Sequence, residues 1–193
     1  MKKIFILIGK SSTGKDTIYQ KLLESQKFQT IVPYTTRPIR KGEQNGREYF
    51  FISEEEYLSL KKQNKIIESR CYQTVYGPWY YMTVDDGQFQ KKEKKYLMIG
   101  TIESFLGLKH YFSEDKVIPI YIKVKDKERL LRSIERESRQ QKPGYLEVCR
   151  RFLEDEKDFS KEKLREAGIE QSFENNILQE TVDKILKYME TTE

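Results

Sequence analysis

The sequence is poor in the residues that cross-link a chain or ligate a metal. Its 193 residues include two cysteines and one histidine. Cys71 and Cys149 lie far apart and in no C-x-x-C spacing, which excludes a disulfide framework and a zinc pattern. A reduced, cytoplasmic setting is therefore expected. Long apolar runs are also missing, since no stretch approaches the ~20 residues of a membrane span. "MKKIFILIG" has lysines before an apolar run, but the run is too short for a signal peptide and meets "KSSTGKD" in place of a small-residue cleavage site. There is no internal repeat and no block of one charge sign. The 36 basic and 31 acidic residues are interspersed, and with 12% aromatics this argues against disorder. Acids and bases alternate in "DKERLLRSIERESR" as on a solvated, salt-bridged helix face. The +5 net charge suits an anionic small molecule or a nucleic acid and decides neither. With the charges so dispersed, no nucleic-acid or membrane partner is expected. The oligomeric state is not legible.

What is present is an alternation of strand and helix signals. "KKIFILI" reads as a buried strand, and Ile18, Leu22 and Leu23 recur at helical spacing after it. "TTRPIRKGEQNG" is a loop and "REYFFI" is strand-like. Ser53 followed by Glu56 marks a helix start by a capping box. "KIIESRCYQTVYGPWYYMTV" reads as two strands around a turn at Gly77-Pro78. "KYLMIG" (95–100) and "KVIPIYIKV" (116–124) read as buried parallel strands. Helices are expected at 102–111, 126–139, 145–158 and 178–190. The reading is an α/β fold: a parallel sheet flanked by helices, of the P-loop NTPase type, with a mixed α+β insertion and a helical lid. Residues 1–33 form the core with the loop, 34–90 an acceptor-binding insertion, and 91–193 the rest of the core. The lid, about 137–150, hinges at Pro143-Gly144.

Gly9 to Lys15 fits G-x-x-x-x-G-K between a strand and a helix, the context that a phosphate-binding loop requires. Glycines let amide N–H groups turn toward phosphate oxygens, the helix start adds partial positive charge, and Lys15 reaches the terminal phosphates. Gly9, Lys10, Ser11, Ser12, Thr13, Gly14, Lys15, Asp16 and Thr17 are the expected ATP-binding stretch. Asp16 stands where a hydroxyl normally meets Mg²⁺. Either it is itself a hard oxygen ligand for that ion, or it is an acid favoured in a helix's first turn. Arg37, Arg40 and Tyr49, farther along, can grip a dianionic phosphate with forked N–H donors and a phenol.

Thr35-Thr36-Arg37-Pro38-Ile39-Arg40, Gly42-Glu43, Gly46, Tyr49, Ile66-Ile67-Glu68 and Tyr76-Gly77, with the loop before them, resemble the guanylate kinase family in order and spacing. The resemblance implies Mg²⁺-dependent phosphoryl transfer from ATP to GMP or dGMP. It further implies Thr35, Arg37, Arg40, Tyr49 and Tyr76 at the acceptor phosphate, and Glu68 at guanine N1 and N2. Lys15, Arg37, Arg132, Arg136 and Arg151 would act on the transferring group, Asn175 near the donor base, and Asp16 at the metal. The attacking oxygen of a monophosphate is already ionised, so positioning and positive charge carry the chemistry and no strong base is required. His110, at the end of a predicted helix, is then structural.

Departures are visible. Pro33 and Tyr34 stand where the family commonly has serine. Pro78 stands where it has a base-reading hydroxyl. "LMIGTIES" lacks the family's aspartates and has only Glu103 nearby. They keep two other readings open: a kinase for ribose 1,5-bisphosphate, whose relatives also tend to carry G-K-D, and a non-catalytic binding module.

Overall fold

The computed structural model describes residues 3–40, 42–74, 77–90 and 95–192. Its first sheet is parallel, in the order β2-β7-β1-β8-β9: β1 is Ile4–Ile8, β2 Phe28–Thr30, β7 Lys95–Ile99, β8 Val117–Lys123 and β9 Ser172–Glu174. The central strand β1 is wholly buried, with apolar side chains at every position. Its alternation therefore faces two cores instead of one core and water. Ile4, Ile6 and Ile8 pack with Phe105 and Leu108 of α3 (Ile102–Phe112). Phe5 and Leu7 pack with Ile18 and Leu22 of α1 (Lys15–Glu24) and Val182 and Ile185 of α7 (Leu178–Thr191). Each such side chain, fully buried, stabilises by about 1.5–3 kcal/mol.

The second sheet runs β4-β3-β6-β5, with β3 at Tyr34–Thr35, β4 Phe50–Phe51, β5 Ile66–Thr74 and β6 Gly77–Val84. Period-two alternation divides β6. Met82 and Val84, with Tyr80 partly buried, pack on Tyr57 of α2 (Glu54–Lys62). Trp79, Tyr81 and Thr83 take the opposite face, across from Tyr72, Arg70 and Glu68 of β5. The capping box at Ser53 and Glu56 forms as the spacing predicts.

Four short elements were not expected: β2, β3, β9 and α6 (Lys161–Glu166). Each is too brief to show a period. "REYFFI" contributes only two residues to β4. The hairpin does not turn at Gly77-Pro78. Both belong to β6 and pair with Thr74 and Gln73. Gly77, at φ +101°, opens the returning strand.

Two helices complete the site, α4 (Asp126–Ser138) and α5 (Tyr145–Asp158). Contrary to a solvated reading of α4, Arg129 is 1% exposed and Leu131 is 56% exposed. The buried residues of this helix, Arg129 and Ser133, are polar.

Candidate active site

β1 ends at Ile8 and α1 begins at Lys15, and the loop between them is built around close contacts. Gly9 lies so near β8 that a Cβ there would stand 2.5 Å from the Ile122 carbonyl oxygen. Gly14, at φ +85°, caps α1 and would place a Cβ 2.6 Å from Asn175 Nδ2. That amide donates to the Thr13 carbonyl at 2.8 Å, so Asn175 holds the loop's shape from the side. Thr13 Oγ1 donates to the Lys10 carbonyl. Ser12 is left-handed without being glycine, and its hydroxyl meets that of Ser133 on α4 at 2.7 Å.

Lys15 folds back over this loop, donating to the Gly9 and Lys10 carbonyls at 2.6 and 2.9 Å. Burial lowers its pKa to about 8, against the opposing pull of Asp16 and Asp155. It stands between two cavities. One, of about 400 Å³, is lined by Gly14, Asp16, Thr17, Arg132, Arg136 and Asn175. The other is a cleft of about 1120 Å³, whose wall includes Gly9, Ser11, Lys15, Arg40, Tyr49 and Arg151. The loop thus shares one cleft with Arg40 and Tyr49, the pair expected from sequence at an acceptor phosphate.

The remaining acceptor-side residues are placed differently. Arg37 is 3% exposed and lies behind the cleft wall. Its guanidinium forms a two-pronged pair with Glu43, at 2.9 and 3.0 Å, and sits over the rings of Tyr49 and Phe51. Burial disfavours its charge, but hydrogen bonds to Glu43 and Tyr81 outweigh that and raise its pKa. Glu43 also accepts from the Arg40 backbone, so one carboxylate ties both arginines. Thr35 is fully buried, donating to the Tyr80 carbonyl and accepting from the Arg37 N–H. Tyr76 lies outside the described residues.

Glu68 is buried at the inner end of β5, and Oε1 accepts from the Thr83 hydroxyl at 2.7 Å. The hairpin register decides this. Thr83 pairs directly with Glu68, while Pro78 lies toward the other end, opposite Gln73. Thr83 is fully buried, so its hydroxyl serves Glu68 and does not line the cleft.

Arg132 and Arg136 are one turn apart on α4, and Arg132 donates to the Asn175 carbonyl at 3.5 Å. Arg151 lines the cleft from α5 and pairs with Glu147 at 2.8 Å. Hydrogen bonds from Arg150 and Arg151 hold the Glu147 carboxyl down at about 2. Glu103 also reaches the cleft wall.

Sequence reasoning missed an ionic cluster under the loop. Buried Arg129 meets Asp155 at 2.9 Å and Glu156 at 2.6 Å. Glu156 takes Lys10 at 2.6 Å, and Asp155 accepts the Ser11 amide at 2.8 Å. The adjacent acids at 155 and 156 were the available signal. They were indistinguishable from surface charge until α5 packed against α4.

Asp16 projects from the first turn of α1 into the smaller cavity, beside Lys15. Among the described residues no cluster of three or more His, Cys, Asp or Glu could hold a metal. One carboxylate with substrate phosphates and water is nevertheless a donor set that Mg²⁺ accepts. No helix among the described residues is long and apolar enough to cross a membrane.

A family model described as Guanylate kinase matches residues 1–192. A curated guanylate kinase of Porphyromonas gingivalis is 32% identical over 126 residues, covering 63% of this chain and 65% of that protein. One of Anaplasma phagocytophilum is 42% identical over 79 residues, covering 40% of this chain and 36% of its own. The matches therefore span less than two thirds of these relatives. The crystal structure of guanylate kinase from Anaplasma phagocytophilum aligns with a TM-score of 0.67 over 98% of this chain and 85% of that one, at 23% identity, a likeness of fold.

Proposed function

Because the chain belongs to the guanylate kinase family, we propose that it is a nucleoside monophosphate kinase, transferring the terminal phosphoryl group of ATP to GMP or dGMP. The observation that carries this reading is the shared cleft, with Gly9, Ser11 and Lys15 on one wall and Arg40 and Tyr49 on another.

In this reading the loop amides and Lys15 hold the donor phosphates, and Asn175 keeps the loop in register. Arg40 and Tyr49 hold the acceptor phosphate, and Arg37 and Glu43 fix the segment that carries them. Arg132 and Arg136 from one side and Arg151 from the other face the region between donor and acceptor, where they offset charge on the transferring group. Asp16 would hold Mg²⁺ together with phosphate oxygens; the ion would neutralise charge on the donor phosphates. The acceptor oxygen attacks as an anion, so no side chain is required to remove a proton. Closure of the 137–150 segment over the donor would keep water out.

The test is ADP release with ATP and Mg²⁺ against GMP, dGMP, AMP, CMP, UMP and ribose 1,5-bisphosphate. Turnover with the guanine nucleotides is expected. Turnover only with the bisphosphate would replace the acceptor assignment, and none with any acceptor would make the chain a binding module.

A further inference from the structure

Glu68 and Arg70 stand two residues apart on one face of β5 and occupy different depths. The Glu68 side chain is 6% exposed and the Arg70 side chain 17%. Arg70 Nε lies 3.2 Å from Glu68 Oε2, close enough for an ion pair. The two atoms are out of line for a hydrogen bond, and both are buried without one. Arg70 Nη1 donates to Thr101 Oγ1 at 3.0 Å, on the hydroxyl that caps α3. The guanidinium is thus braced from behind by a carboxylate and from the side by a hydroxyl. Among the described residues, Nη2 has no hydrogen-bond partner. Arg70, not Glu68, lines the cleft, where its neighbours are Tyr72, Trp79 and Tyr81.

This is a forked donor set on an aromatic wall. A braced guanidinium matches two acceptors side by side, and on a purine that edge is O6 with N7 of a 6-oxopurine. Adenine offers an amino donor at the first of these positions, so donor would meet donor. The cross-strand rings supply flat apolar surface of the kind on which bases stack. Glu68 keeps the guanidinium charge compensated and aimed.

We propose that Arg70 is the residue that reads the acceptor's base, donating to O6 and N7 of a 6-oxopurine, with Glu68 as its counter-ion. This rests on the acceptor being a purine monophosphate, as proposed above, and names the residue that selects it.

The experiment compares the wild-type enzyme with Arg70→Met, which keeps much of the side-chain length and removes the donors. Acceptors are GMP and the ribonucleoside monophosphate of 2-aminopurine, which lacks O6. Loss of the pair should raise KM for GMP by on the order of 10- to 100-fold, with kcat nearly kept. KM for the 2-aminopurine nucleotide, which keeps N7 and loses only that contact, should rise by a clearly smaller factor, and KM for ATP should stay unchanged. Trp79, the single tryptophan, lines the cleft. Quenching of its fluorescence by GMP gives a binding readout independent of turnover. A structural strut would weaken both acceptors equally, and an idle arginine would change neither; either result overturns the proposal. Arg70→Lys should recover GMP only in part, since an ammonium cannot span both acceptors. Wild-type turnover of GMP establishes the kinase reading whatever Arg70→Met does. If GMP is neither phosphorylated nor bound by the wild type, both readings fall together.

Discussion

Asp155 accepts the backbone N–H of Ser11 at 2.8 Å, so a side-chain carboxylate occupies a loop amide where an anionic phosphate is expected. The same carboxylate holds buried Arg129 at 2.9 Å. The loop is thereby tied to α5, the helix that carries Arg151. An incoming phosphate competes with Asp155 for that amide, and Asp155→Asn weakens the competitor. ATP should bind several-fold more tightly to this variant by calorimetric titration. Its melting temperature should fall because Arg129 loses a charged partner. An ATP affinity equal to that of the wild type would remove the idea that Asp155 competes.

Arg37 and Arg40, three residues apart, should fail differently. Arg40 is exposed on the cleft, so Arg40→Ala should raise the acceptor KM by 10- to 100-fold, roughly the worth of a charge-assisted hydrogen bond, with little change in melting temperature. Arg37→Ala strips a buried partner from Glu43 and should cost about 3 kcal/mol of stability. Steady-state kinetics beside thermal unfolding separates the two.

Lys15 is expected to set the alkaline limb of activity. With its pKa lowered to about 8 by burial, the empty enzyme loses the ammonium as pH rises through that value. kcat/KM for ATP should therefore decline above pH ~8. The kcat limb, measured at saturating ATP, should lie at higher pH because bound phosphates favour the charge. Stability moves the other way. Between about 8 and the ordinary 10.5 the unfolded chain binds more protons at this group, so its contribution to stability rises with pH. A kcat/KM profile flat to pH 10 would contradict the assignment.

Asp16→Ser should weaken activity and raise the Mg²⁺ concentration needed for half-maximal rate, since a neutral hydroxyl replaces a carboxylate in the ion's reach. Magnesium titration of both proteins checks this. An unchanged requirement would leave Asp16 as a first-turn acid only.

The loop and the parallel strands were legible because their signals are local. A glycine pattern between a strand and a helix needs no knowledge of distant residues, and "IFILI" is apolar throughout because both of its faces are covered. The acceptor side was legible as a segment but not in its packing. Nothing in the order of residues sets Thr83 beside Glu68; the hairpin register does. Arg70 attracted no notice, since an arginine in a polar strand looks like any other until the sheet turns its face to the cleft.

Sequence alone determined the strand-loop-helix with its glycine pattern and the alternation that makes a two-sided core, for both follow from residue type and short-range spacing. Tertiary structure decided which charges work at the site. Arg40 reaches the cleft while Arg37 stands behind it, Arg70 covers Glu68, and Arg129 is buried with Asp155 and Glu156. An ion's role depends on its neighbours and its access to water, and both are set only when distant segments pack.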